Sequence, residues 1–222
     1  MVGRWHRALE DFSHTFHFSR PGAHDTSAHM AFLNETLSLH PDHALLSEVN
    51  ELAEALFRCW EAWDGRLNGP RILAHGDLKI SNLRFDFEER AIALLDLDTM
   101  GYLSRDVEMG DAWRSWCNPA AEDVVESQFD LALFEASARG YLEQCELNSE
   151  EREALPAGVE RICLELAARF AADALNESYF GWNPDVAQTR GEHNLIRARG
   201  QLSLAQSVIA QRRDLERILK SA

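Results

Sequence analysis

Apolar side chains recur at helical spacing over much of the chain. The strongest pattern runs from about residue 42 to 67 and predicts an amphipathic helix. Residues 5–18 indicate a short helix, and a loop follows at residues 19–22. Further helices are predicted near residues 105–116, 123–145, 157–180 and 193–218, with Ser149 as an N-cap and Pro156 at a helix start.

Short apolar runs separated by polar segments change the pattern in the middle of the chain. They predict strands at residues 71–74, 83–86 and 91–95. Residues 87–90 are few enough to join the last two strands as a hairpin. The predicted fold is mainly α with a small β-hairpin insert (α+β), in one domain with parts at 1–41, 42–104 and 105–222.

The composition limits which binding partners and which cellular compartment we expect. Lys plus Arg is 22 and Asp plus Glu is 37, a formal charge of −15, which would repel nucleic acid and anionic membranes. The four cysteines form no CxxC pair and lie in apolar stretches, so buried reduced thiols are expected. The sequence shows neither a membrane-length apolar run nor a secretion signal. These features predict a cytoplasmic protein.

The segment His-Gly-Asp-Leu-Lys-Ile-Ser-Asn, residues 75–82, has the groups that phosphoryl transfer requires. Asp77 can act as a catalytic base, and Asn82 can offer an oxygen to a magnesium ion. Lys79 can reach a transferring phosphate. Asp96 follows the last predicted strand as a metal carboxylate, so these side chains are expected to converge on one site.

Two more residues of this region have predicted structural roles. His75 is expected to organise the loop by hydrogen bonds rather than to take part in the chemistry. Asp111 either begins a helix or ties the loop to the helical core as a buried carboxylate. Both are candidate loop-organising residues.

The motif H-G-D-x-x-x-x-N, followed by an apolar strand that ends in D-x-D, resembles the aminoglycoside phosphotransferase and choline kinase superfamily, which shares the protein-kinase fold. The resemblance implies Asp77 as the base, with ATP as the phosphate donor. It implies Asn82 and Asp96 as Mg²⁺ ligands, with Asp98 as a second acid. The likeness to N-acetylhexosamine 1-kinases and related phosphotransferases extends further, through residues 3–9, 95–100, 110–114, 169–170, 179–180 and 193–199.

The same resemblance covers only the C-terminal lobe of such kinases. The family's first lobe has a glycine-rich loop and a strand lysine, whereas this chain contains only Lys79 and Lys220 and no Gly-x-Gly spacing. We therefore expect the N-terminal nucleotide lobe to be absent, or to be supplied by a separate or missing segment. The chain alone is expected to have little kinase activity, and an uncovered apolar face predicts homo-oligomers. Glu108 stands where the relatives favour Asp, which is expected to weaken a tie to the loop.

Seven of the nine histidines precede residue 44, but their spacings match no standard zinc site. The resemblance implies that the loop with His24 and Asp25 forms an acceptor-side surface. Arg169, Asp173 and Tyr179 either face the acceptor as well or serve in helix packing.

Two functions of different classes remain open at this stage. The chain is either the catalytic lobe of a small-molecule kinase, with a sugar such as an N-acetylhexosamine as acceptor, or a lobe retained as a sugar-binding or protein-binding module. The alternative acceptors are an aminoglycoside, choline or homoserine. Intact Asp77, Asn82 and Asp96 favour the enzyme, and the absent lobe favours the binding module.

Overall fold

The computed structural model describes residues 1–18 and 20–222, which form seven α-helices and four short strands. The helices are α1 (Val2–Ala8), α2 (Thr26–Leu39), α3 (Leu46–Ala62), α4 (Arg105–Trp116), α5 (Leu131–Leu142), α6 (Ser149–Asn176) and α7 (Arg190–Ser221). The strands are β1 (Arg71–Ala74), β2 (Leu83–Phe85), β3 (Ala91–Leu94) and β4 (Gly101–Ser104). The predicted architecture, mainly α with a small hairpin insert, is confirmed.

Helix α6 lies at the centre of the fold. A capping box begins it, because the Asn148 side chain accepts from the Glu151 N–H at 2.9 Å while the Glu151 carboxylate accepts from the Asn148 N–H at 3.1 Å. Between Leu155 and Leu175 nearly every residue is buried, since α2, α4 and α7 all pack against α6. Helix α6 is therefore the element against which α2, α4 and α7 are positioned.

The strands form two separate antiparallel pairs. Strands β2 and β3 make the predicted hairpin, with Leu83 opposite Leu94. Strand β1 pairs with β4, so that Ala74 lies opposite Gly101. Because β1 and β4 are antiparallel and α4 follows β4 directly, α4 begins beside the start of β1, and the segment 75–82 begins at the other end of the pair, beside Gly101.

The structure corrects several predicted boundaries. Helix α2 and strand β4 were not predicted, and α5 begins at Leu131 rather than near residue 123. Helix α2 has a weak apolar period, because two of its four buried residues are the threonines Thr26 and Thr36. Helix α6 begins at Ser149 with Asn148 as its cap, so Pro156 lies inside the helix and not at its start.

The cysteines are free thiols, as predicted. Cys117, Cys145 and Cys163 are buried, and Cys59 is half-buried. Burial raises the pKa of Cys117 and of Cys163 to about 12. Neither of these two thiols is therefore suited to act as a nucleophile at neutral pH.

Glu160 is a buried carboxylate of α6 with incomplete pairing. It is 3% exposed, and its Oε1 lies 3.2 Å from Arg212 Nε without hydrogen-bond geometry. Burial raises the pKa of Glu160 from 4.5 to about 7. The positive charge of Arg212 lowers this pKa, but the effect of burial is larger. The folded state therefore binds this proton more tightly than the unfolded state does. A pKa difference of this size corresponds to about 3 kcal/mol.

We expect the free energy of unfolding to fall by about 3 kcal/mol through Glu160 as the pH rises from about 4.5 to about 7. Urea unfolding gives the free energy of unfolding of the wild type and of Glu160→Gln at each pH in this range. The contribution of Glu160 is the difference between the two slopes of this free energy against pH. The exposed Glu153→Gln, on the same helix, is the matched control and should retain the wild-type slope. An unchanged slope in Glu160→Gln would show that Glu160 is not the group responsible.

Candidate active site

The loop after β1 brings three of the predicted site residues into direct contact. Lys79 Nζ donates to Asp77 Oδ2 at 2.6 Å. Asn82 Nδ2 donates to the same Oδ2 at 3.1 Å and to the Asp77 carbonyl at 2.8 Å. Burial opposes the charge of Lys79, but its hydrogen bond to Asp77 and the negative charges of nearby acids hold its pKa above the ordinary value. The Asp77 carboxylate is thus oriented through one oxygen.

His75 organises the loop from a fully buried position. Its Nε2 donates to the Leu95 carbonyl at 2.8 Å, and its Nδ1 accepts from the Asp77 N–H at 3.3 Å. The His75 carbonyl accepts from Thr99 Oγ1 at 2.8 Å. These bonds join the loop of Asp77 to the turn that follows β3, where the predicted metal carboxylates lie.

Glu108, in the first turn of α4, holds the backbone of the loop. Its Oε1 accepts from the His75 N–H at 2.8 Å, and its Oε2 accepts from the Gly76 N–H at 3.0 Å. Its Oε1 also lies 3.2 Å from His6 Nε2, and His6 Nδ1 is 3.0 Å from the Tyr141 hydroxyl. A glutamate was expected to weaken this tie, but its length lets it reach two successive amides.

Asp111 is buried one turn further along α4. Its Oδ1 accepts from Arg114 Nη2 at 2.9 Å, whereas its Oδ2 has no hydrogen-bond partner among residues 1–18 and 20–222. Burial opposes its charge, but the charges of Arg114 and His24 and the backbone of Leu78 hold the pKa of Asp111 below its usual range. Asp111 therefore places a negative charge behind the loop.

Asp96 and Asp98 lie on the turn after β3, on either side of Leu97. Asp96 has a left-handed backbone (φ 65°) and precedes the 3-10 turn Leu97–Thr99. A hydrogen bond to Asp98 and the negative charge of Asp98 raise the pKa of Asp96, while the Lys79 charge lowers it. Two neighbouring carboxylates of this kind are suited to a divalent cation, which would offset their mutual repulsion.

The residues predicted to face the acceptor occupy two places. His24 lies behind the loop, with Nε2 at 3.5 Å from the Gly76 carbonyl, whereas Asp25 caps α2 by accepting from the Ala28 N–H at 3.0 Å. Arg169 lies over the ring of Tyr179, with its Cζ 5.9 Å from the centroid. Arg169 belongs to α6, and Tyr179 lies in the turn between α6 and α7.

Asp173 has a structural contact for each of its carboxylate oxygens. Its Oδ1 accepts from the backbone N–H groups of Ser178 and Tyr179, both at 2.9 Å. Its Oδ2 accepts from the Phe180 N–H at 2.8 Å and from Asn194 Nδ2 at 2.9 Å. Asp173 therefore closes the end of α6 and joins it to α7.

Several residues that support the site were not identified from the sequence. Trp116 Nε1 donates to the Leu78 carbonyl at 2.7 Å, and Ser115 Oγ accepts from the Ile80 N–H at 2.9 Å. Glu165 of α6 contacts His24 at 2.9 Å. The helical period of α4 and α6 indicates which residues are buried, but not that these polar ones meet a loop far away in the chain.

The histidines near the N-terminus bond to different partners. Besides the bonds of His6 and His24, His40 Nε2 lies 2.9 Å from Asn176 Oδ1. Within residues 1–18 and 20–222, no three His, Cys, Asp or Glu side chains are grouped so that they could hold a metal ion. Over the same residues, no helix has the length and apolar character needed to cross a membrane.

The chain belongs to the phosphotransferase enzyme family APH, whose model matches residues 1–146. Among solved structures, the chain is similar to a microcompartment-associated aminopropanol kinase, with a TM-score of 0.51 and 18% sequence identity. The match covers 95% of this chain and 61% of that kinase, so the chain spans about three fifths of its length. The likeness shows the fold, which is the mainly α C-terminal lobe of a kinase-like fold.

Proposed function

We propose that the chain is the catalytic lobe of an ATP- and Mg²⁺-dependent kinase that phosphorylates a hydroxyl group of a small molecule. The observation that supports this most strongly is the contact of both Lys79 and Asn82 with Asp77, at 2.6 and 3.1 Å, beside the acids Asp96 and Asp98. A base, a cation for phosphate and metal-binding oxygens are the parts that phosphoryl transfer requires. Membership of the phosphotransferase family supports the same reaction.

Asp77 is the proposed base. Lys79 and Asn82 both bond to its Oδ2, which leaves Oδ1 to accept the proton of the attacking hydroxyl. As that O–H bond breaks, the hydroxyl oxygen forms its bond to the γ-phosphorus, and the bond between this phosphorus and the leaving ADP oxygen breaks. The ammonium group of Lys79 can offset the negative charge of the transferring phosphoryl group.

Asn82, Asp96 and, as a second acid, Asp98 are the proposed magnesium ligands. The side chain of Asn82 donates through Nδ2, so its Oδ1 has the right chemistry for a hard cation. Magnesium sites in such enzymes take one or two carboxylates and complete their coordination with phosphates and water, so this small set of protein ligands fits the ion. When bound, Mg²⁺ would neutralise phosphate charge.

A sugar of the N-acetylhexosamine type is the proposed acceptor, on the basis of the resemblance in residues 95–100 and 193–199. His24 and Asp25 form the proposed near side of the acceptor surface, and Arg169 with Tyr179 a more distant one. Asp173 is left out of this set, because both of its oxygens accept bonds from the chain.

We also propose that this chain alone transfers phosphate weakly. Its span of 61% of the similar kinase supports this, since catalysis of phosphoryl transfer depends on positioning the nucleotide. Robust phosphorylation of N-acetylhexosamine by the purified chain would contradict this expectation, while leaving the kinase proposal intact. We further propose that a separate segment holds the nucleotide, which co-purification tests. Self-association of the chain is also proposed, and light scattering tests it.

Isothermal titration calorimetry with Mg²⁺-ATP, with and without N-acetylglucosamine, tests the proposed site. Replacing Asp96 by alanine removes a metal ligand and is expected to weaken Mg²⁺-dependent binding at least about tenfold. Asp185→Ala, which removes an exposed carboxylate outside the site, has the same charge change and should bind like the wild type. Equal weakening by both variants would mean that the binding reflects the overall negative charge and not this site.

A further inference from the structure

Gly76, the residue that precedes the proposed base, is held on three sides. The Gly76 N–H donates to Glu108 Oε2 at 3.0 Å, and the Gly76 carbonyl lies 3.5 Å from His24 Nε2. Gly76 has φ 80°, and a Cβ at this residue would lie only 2.6 Å from the Thr99 carbonyl oxygen. A rotation of the peptide group between Gly76 and Asp77 would move the carboxylate of Asp77.

His24 is itself fixed by a closed ring of buried polar contacts. Its Nδ1 lies 2.9 Å from Glu165 Oε1, and Glu165 Oε2 accepts from Thr26 Oγ1 at 2.7 Å. Arg161 Nε donates to Thr26 Oγ1 at 2.9 Å, and Arg161 Nη2 donates to the His24 carbonyl at 2.7 Å. The ring joins the start of α2 to α6, so the imidazole cannot turn without breaking buried bonds.

The groups around His24 favour its charged form. Burial disfavours that charge, but the hydrogen bond to Glu165 and the negative charges of Glu165 and Asp111 hold the pKa of His24 above its ordinary value. Arg161 faces the backbone carbonyl of His24 and not its ring. The nearby charge of His29 helps to lower the pKa of Glu165. A charged donor forms a stronger hydrogen bond to a carbonyl than a neutral one does.

We propose that His24, protonated against Glu165, is a positioning residue that holds the Gly76 carbonyl and thereby sets the direction of the Asp77 carboxylate. The proposal rests on the proposed function in that Asp77 is taken as the base. In this role His24 acts through the peptide between Gly76 and Asp77, and not by contact with the reacting atoms. Both ring nitrogens of His24 face acceptor oxygens, Glu165 Oε1 at 2.9 Å and the Gly76 carbonyl at 3.5 Å, as the two N–H groups of a charged imidazole require.

Nuclear magnetic resonance of the isotope-labelled 222-residue chain tests this assignment. The wild type is titrated with acid and base while the His24 imidazole nitrogens and the Asp77 backbone amide are followed together. The expected result is a step in the Asp77 amide shift at the pH midpoint of His24. A residue with a packing role alone would not produce that shared step.

Two variants and a control extend the test. Glu165→Gln removes the counter-charge and is expected to shift both midpoints together to lower pH. His24→Ala is expected to abolish the step at Asp77, whereas His40→Ala, which loses a 2.9 Å bond at the far end of α2, should keep it.

An Asp77 amide that does not follow the ionisation of His24 in the wild type overturns the proposal, and this result requires no variant to fold. A step that persists unchanged in His24→Ala overturns it as well. The titration uses no metal, ATP or acceptor, so it can fail while Mg²⁺ binding at Asp96 succeeds, and the reverse can also occur. The two proposals are therefore tested separately.

Discussion

Replacing Glu108 by alanine is expected to lower the free energy of unfolding by about 3–5 kcal/mol. Glu108 is 1% exposed, and its carboxylate accepts from the amides of His75 and Gly76 while contacting His6. Alanine would leave the buried His75 amide and the partly buried Gly76 amide without this acceptor, and it would remove one of the two partners of the buried His6 imidazole. Urea unfolding measured by circular dichroism gives the change.

The exposed Glu153 offers a matched control, because Glu153→Ala makes the same substitution without a buried contact and should stay within about 0.5 kcal/mol of the wild type. Glu108→Gln keeps one acceptor oxygen and is expected to fall between the two. If Glu108→Ala were as stable as the control, the two amides would have another partner, and the account of the loop would be wrong.

Replacing Gly158 by alanine is expected to destabilise the protein by about 3 kcal/mol, although alanine favours helices. Helices α4 and α6 are in backbone contact here, and a Cβ at Gly158 would lie 2.2 Å from the Asp106 carbonyl oxygen. Gly110 approaches from the other helix, where a Cβ would lie 2.5 Å from the Gly158 carbonyl oxygen. Because backbone atoms cannot turn aside, the helices would have to separate, and Glu108 would move with α4.

The matched control is Gly140→Ala in α5, where a Cβ has no neighbour within 4 Å. At that exposed helical residue, alanine should raise the free energy of unfolding by up to about 1 kcal/mol. The two substitutions are thus expected to have opposite signs in thermal or urea unfolding. A stabilising effect of Gly158→Ala would contradict the close packing of α4 on α6.

The contacts within residues 75–82 could be predicted because the residues that make them are close in the sequence. Asn82 comes five positions after Asp77, and a single hairpin then leads to Asp96, so the spacing predicts that these side chains lie near one another. The same holds for α4, whose bounds Arg105–Trp116 match the predicted 105–116, because a turn with Asn118 and Pro119 ends its helical pattern.

The supporting contacts could not be predicted, because they join distant parts of the chain. Glu165 is 141 residues from His24, and Glu108 is 32 residues from Gly76. A buried polar residue on a helix gives no sign of its partner until the packing of α2, α4 and α6 is known. Helix α2 was missed for a related reason, since its buried face includes Thr26 and Thr36 in place of large apolar residues.

The structure therefore divides the site into two layers. Asp77, Lys79 and Asn82 contact one another within the loop, while Glu108, His75 and the start of α4 fix the loop against the helical core. The first layer accounts for the proposed chemistry. The second layer explains how a loop between two strands can hold the Asp77 carboxylate in one direction.

Paramagnetic line broadening by Mn²⁺, which substitutes for Mg²⁺, tests whether the proposed magnesium site lies beside Asp77. In spectra of the ¹⁵N-labelled chain, low concentrations of Mn²⁺ should broaden the amide signals of residues 77–82 and 95–99 first, because Asn82, Asp96 and Asp98 surround the proposed site. A formal charge of −15 provides many weaker sites elsewhere. Broadening that is spread over the acidic surface, or that is unchanged in Asp96→Ala, would contradict a magnesium site beside Asp77.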